Sequence, residues 1–128
     1  TDGGSNYNTT MTTTWFYSWH NEADNSAGLS YVTSQDQAQG TAYQNIATSF
    51  GSDADQSCVG ELHLFAPAST TYVKHFYLTT SQYSKAPEQA TYYVAGYFNT
   101  AAALDAISFK MSTGNFSGTI KLYGISKT

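Results

Sequence analysis

Residues 105–125 read Asp105-Ala-Ile-Ser-Phe-Lys-Met-Ser-Thr-Gly-Asn-Phe-Ser-Gly-Thr-Ile-Lys-Leu-Tyr-Gly-Ile125. Ile107, Phe109 and Met111 alternate with Ser108, Lys110 and Ser112, and beyond Gly114-Asn115 the residues Ile120 and Leu122 alternate with Thr119, Lys121 and Tyr123. A period of two places one set of side chains in a core and the other in water, and Gly-Asn supplies a tight connection. The spacing predicts a hairpin, with Ile107, Phe109, Met111, Ile120 and Leu122 facing inward.

The rest of the composition points the same way. Eleven tyrosines and seven phenylalanines, with abundant Thr and Ser, suit pleated surfaces better than helices. At 128 residues the chain makes one domain with a core of its own. Its five basic residues are all lysines, set against nine acids for a net charge of −4. That balance argues against nucleic acid as a partner, because phosphate-backbone sites need clustered Lys and Arg. Charged residues are only 11% of the chain, so its hydroxyl-rich surface suits broad polar interfaces. Cys58 stands alone, which excludes an intramolecular disulfide and makes a buried structural thiol the default. No apolar run approaches the length of a membrane span and the sequence opens without a basic n-region, though a longer precursor is equally compatible, so no membrane partner is expected.

In chain order, residues 1–13 are small and polar and predict a flexible arm that orders against a partner. Residues 14–128 form the folded domain. Strands are expected at 14–20, 29–33, 58–66, 72–80 and 91–98. Residues 34–40 suit a single helical turn or a loop, and 41–50 either a strand, slightly favoured, or a short helix. Gly96 marks a bulge or a close backbone approach. The sum is about eight strands with turn signals between them, an all-β antiparallel sandwich of jelly-roll or Greek-key kind.

Few constellations suggest chemistry. Were Ala66 to pair with Tyr72, His63 would lie opposite His75, close enough to share a metal. That register also puts Lys74 on the core face, so a slip by one residue is at least an equal alternative. Zinc wants three or four ligands, and the plainer reading is two hydrogen-bonded histidines with no metal. Asp53 and Asp55 lack the oxygen ligands of a calcium loop. Glu61, Glu88 and Asp105 offer no more acid pairing than chance provides, and neither a nucleophile elbow nor a phosphate-binding loop occurs. No enzyme, catalytic residue or cofactor is expected. The sequons Asn8-Thr9-Thr10 and Asn115-Phe116-Ser117 read as chance.

Aromatic rows carry more weight. Trp15, Tyr17 and Trp19 share one strand face, Phe16 takes the other, and Tyr93 and Tyr97 form a second row. Each row is either core or interface, or else a stacking platform for a sugar chain, with core or interface favoured. Both faces of residues 14–20 are apolar and only one can meet this domain's core. The other is expected to meet another chain.

Three stretches carry a resemblance: Gly60-Glu-Leu-His-Leu-Phe-Ala-Pro-Ala-Ser-Thr-Thr-Tyr-Val-Lys-His-Phe76, Val94-Ala-Gly-Tyr-Phe-Asn-Thr100, and Ala106-Ile-Ser-Phe together with residues 112–125. They resemble small structural proteins of tailed bacteriophages, notably marine ones, over the second half of the chain. The closing Gly-Thr-Ile-Lys-Leu-Tyr-Gly-Ile, residues 118–125, is similar to the last strand of such virion jelly rolls. The resemblance implies a virion location, as a capsid decoration or as part of a tail or fibre. It implies a major capsid protein or other virion protein as partner and no catalytic residues, while assembly into trimers or dimers is expected from the second apolar face of residues 14–20. Host glycans are the alternative partner, recognised by a carbohydrate-binding module on a head or fibre.

Overall fold

The computed structural model describes residues 6–126. The chain is all-β. Five antiparallel strands form one sheet: β1 (Met11–Asn21), β2 (Ala27–Tyr31), β3 (Cys58–Leu64), β4 (Lys74–Tyr83) and β5 (Glu88–Phe98). Their order is β2-β1-β5-β4-β3, so the two longest strands pair at the centre and the two shortest lie at the edges. Burial alternates most clearly along β4, and over parts of β1 and β5. β4 buries Lys74, Phe76, Leu78, Thr80 and Gln82 and turns His75, Tyr77 and Thr79 the other way.

One face of the sheet is the core. Trp15 pairs with Val94, and Val94 with Leu78, so a continuous apolar row crosses β1, β5 and β4. Tyr17 and Tyr92 are paired neighbours, stacked with ring centroids 5.5 Å apart. Burial of such large rings supplies most of the driving force, at roughly 25 cal/mol per Å² of apolar surface.

The layer over this face is irregular chain. Between a single 3₁₀ turn at Thr33–Gln35 and the start of β3 there is no regular strand or helix, yet Ala47 is buried in the core and Val32 and Ile46 pack against it. Backbone groups in such a cover lack ladder partners, so side chains must supply them. The Thr80 hydroxyl donates to the Ile46 carbonyl at 3.1 Å and the Gln82 amide to Thr48 at 2.6 Å. The Tyr92 hydroxyl donates to the same Thr48 carbonyl at 3.0 Å, and the Thr13 hydroxyl accepts from the Gln37 backbone at 2.9 Å. This is why polar Thr13, Thr80 and Gln82 occupy an otherwise apolar face.

Several expectations need correction. Five strands are present among the described residues rather than about eight, and they form a single sheet. Residues 105–125 form no hairpin: they run without regular structure, with Ile120, Leu122 and Ile125 exposed. Ile107, also expected inside, is 44% exposed, while Phe109 and Met111 are half-buried. A pattern of period two becomes a strand only where it pairs, and among the described residues no strand pairs with it. Residues 41–50 are neither strand nor helix, being held by the contacts just described.

The register of β3 against β4 differs by two residues from the one that would face the histidines. Leu64 pairs with Phe76 and His63 with Tyr77. A two-residue shift keeps every side chain on its face, so Leu62 and Leu64 meet Leu78 and Phe76, while Ala66 turns out of the strand at a φ of 45°. Lys74 does lie on the core face. β1 begins at Met11, so the last three residues of the expected arm, with Met11 and Thr13 buried, belong to the sheet, while residues 1–5 lie outside the described residues. At Gly96 there is close approach without a bulge: pairing runs unbroken, and a Cβ there would stand 2.4 Å from the Thr12 carbonyl oxygen.

Candidate interaction surface

Among the described residues nothing covers the second face of the sheet. Alternation along β1, β5 and β4 sends Phe16, Tyr93, Tyr97, His75 and Tyr77 to this side, and the pairing sets them in rows. One row runs Tyr31, Phe16, Tyr93, Thr79 and Glu61 across all five strands. Phe16 and Tyr93 stack at 4.8 Å with planes 12° apart, yet remain 37% and 36% exposed. A second cluster sits at the other end of the face. The His63 ring stacks on Tyr77 at 4.5 Å, Phe65 tilts against Tyr77 at 5.7 Å, and His75 meets Tyr97 at 5.8 Å. Thr12, Thr14, Thr79 and Thr91 share the face with them. The result is a flat, aromatic and hydroxyl-rich surface of low charge.

The residues expected at an interface are divided between the two sides. Tyr93 and Tyr97 lie on the open face. Trp15, Tyr17 and Trp19 lie on the core face, where Trp15 is 2% exposed and the other two are half-buried. The sequence pattern already set Phe16 apart from the tryptophans, but which of the two faces stays open depends on where residues 32–50 come to rest. Tyr77 and Phe65 were not singled out; their parity with His63 and His75 is the signal that connects them.

A smaller cleft of about 170 Å³ opens between the sheet and its irregular cover, lined by Trp15, Tyr17, Gln35, Thr48, Glu88 and Tyr92 among others. The Trp15 indole N–H is buried with no hydrogen-bond partner. Desolvation in this region pushes the Tyr92 phenol above its ordinary range, an effect that its bonds to Thr48 partly offset.

Charge gathers at one end of the β3 edge. Asp53 and Asp55 precede the strand and Glu61 lies exposed within it. The charge of Glu22 foremost, then burial and the charges of Asp55 and Asp53, raise the Tyr83 phenol above its usual value. On the same edge, the His63 ring nitrogen lies 3.5 Å from the Glu61 carboxylate. Among the described residues no three of His, Cys, Asp and Glu come together as a metal site would require. No protein-family model, curated protein or solved structure matches the chain.

Proposed function

We propose that this chain is a non-enzymatic structural protein of a bacteriophage virion, which decorates the capsid through the open face of its sheet and self-associates there. The observation that carries the reading is the uncovered face: Phe16, Tyr31, Tyr77 and Tyr93 are all exposed on one side of a sheet whose other side is already closed. Exposed aromatic surface of this extent marks an interaction site rather than solvent-facing structure. In this reading the jelly-roll sandwich is completed in the assembly, with the second layer opposite the open face supplied by a neighbouring chain. The residues that precede β1 add further contacts. Many copies, each binding only the assembled shell, stabilise that shell by mass action.

Labelling intact particles of the source virus with an antibody against the full chain tests this. Label distributed over the head shell is the expected result. Label at the tail alone, or none on particles that contain the other virion proteins, would overturn it.

The cleft beside Trp15 favours a second reading, a carbohydrate-binding module for host glycans. Aromatic rings, a carboxylate and an unpartnered indole donor are what a sugar's faces and hydroxyls require. Trp15 and Trp19 are the chain's two tryptophans, so saturable quenching by host polysaccharide would support this reading, and its absence would remove it.

A further inference from the structure

Residues 119–125 combine three properties. They alternate, with Ile120 and Leu122 on one side and Thr119, Lys121 and Tyr123 on the other. They are exposed, Leu122 at 95% and Ile125 at 90%, and no strand pairs with them. They also belong to a segment of opposite charge to the body: residues 105–128 hold three lysines and one aspartate, while residues 1–104 hold two lysines and eight acids. An extended apolar stretch left in water is costly, and so is an open strand edge, whose backbone groups invite pairing.

Such an edge is present in β3. Cys58–Leu64 pairs on one side with β4 and, among the described residues, with no strand on the other. It is seven residues long, the length of the stretch 119–125, and carries Glu61 next to the acidic loop of Asp53 and Asp55. β2 is the shorter edge, with five residues and no acid in it. We propose that residues 119–125 of one copy add as a sixth, antiparallel strand to the β3 edge of a second copy, with Lys121 opposite Glu61.

That register places Ile120 beside Leu62 and Gly124 beside Cys58 on the core face, and Tyr123 beside Val59 on the open face. Main-chain hydrogen bonds supply affinity, and the alternate side chains supply register. Within one copy residues 119–125 are exposed and do not pair with β3, which leaves both the segment and the edge to a second copy. Ser108 accepts from the Tyr43 hydroxyl at 3.2 Å and the Lys110 ammonium sits 4.2 Å over the Tyr43 ring. Tyr43 belongs to the irregular cover, so the segment is tethered to that layer as far as Lys110. Reciprocal exchange closes as a dimer, and head-to-tail exchange as a ring. This association runs along the sheet edge and not across the open face used in the reading above, and it does not depend on a virion location.

The purified full chain tests it, free of any viral partner. Gly124→Cys places a second thiol opposite Cys58, at a position where a Cβ meets no atom within 4 Å. Under mild oxidation the expected product is disulfide-linked dimers or rings, formed faster than in the parent chain. A monomer with its two thiols joined, or thiols that stay free, would overturn the proposal. In sedimentation, Lys121→Glu is expected to weaken self-association about fivefold or more, and Glu61→Lys added to it to restore association. Equal association in all three chains would overturn the register, and monomers at every concentration would overturn the exchange. Because only the isolated chain is used, the virion reading can fail or stand without altering these outcomes.

Discussion

The ammonium of Lys74, a residue wholly buried at the start of β4, donates to the Thr100 carbonyl at 3.0 Å, tying that strand to the chain just beyond β5. A second hydrogen bond, of 2.8 Å, runs to the Tyr72 carbonyl. A cation on a core face is thus the fastener for two loop backbones that no ladder reaches.

Replacing Lys74 by Met keeps much of the apolar stem but leaves both carbonyls without their donor. The expected loss of stability is about 2 kcal/mol, because hydrogen bonds to charged groups contribute more than neutral ones. Lys74→Ala, which also opens a cavity, is expected to cost about 4 kcal/mol. Urea denaturation of both variants checks this; an unchanged midpoint for Lys74→Met would mean that the carbonyls have other donors.

Gly96 lies where β5 crosses Thr12 and Thr13 of β1 so closely that a methyl group would clash with backbone. Gly96→Ala is expected to destabilise by about 2 kcal/mol, as overpacking does when neither strand can yield. Gly124→Ala, in open space, should stay within about 0.5 kcal/mol of the parent chain. Thermal melting of the two variants side by side separates close approach from a general preference for glycine.

Tyr92 links stability to alkaline pH. Burial foremost raises its phenol above the ordinary value of 10.0, against the lowering effect of its Thr48 bonds. The unfolded chain therefore loses this proton first. The contribution of Tyr92 is fully present below pH 10.0 and is lost as pH rises through the higher folded value. Tyr92→Phe also removes the bond to the Thr48 carbonyl, so near neutrality it should cost about 1 kcal/mol, and the gap to the parent chain should close above pH 10.0. A gap that widens with pH would reverse the sign of this assignment.

Phe16 and Trp15 are neighbours in sequence with opposite fates. Trp15→Ala should cost about 4 kcal/mol, because it empties the core. Phe16→Ala with Tyr93→Ala should leave the fold intact, and a double-mutant cycle should give a coupling of about 1 kcal/mol for the stacked pair. Under the decoration reading the same double variant loses capsid binding while remaining folded, measured by co-sedimentation with particles.

Period-two alternation found the five strands of the sheet, but the strand slightly favoured at 41–50 is absent. Four of the expected strands overlap β1, β3, β4 and β5, and the short expected stretch at 29–33 overlaps β2. It succeeded because a half-covered strand must sort its side chains by face whatever its partners are. The irregular cover was not legible, since residues 32–57 have no period and are held by Thr13, Thr80, Gln82 and Tyr92 from distant strands. Nor was the interaction surface, because each aromatic row reads equally as core or interface until one side of the sheet is closed.

By itself, then, the order of residues determined an all-β chain, the strands of its sheet and which side chains share a face. Only tertiary structure decided that Trp15 is inside and Phe16 outside, that His63 meets Tyr77, and that residues 105–125 carry a strand's pattern without a strand's partner. Alternation is a local consequence of the pleat, whereas register, cover and pairing are contacts between segments far apart in the chain.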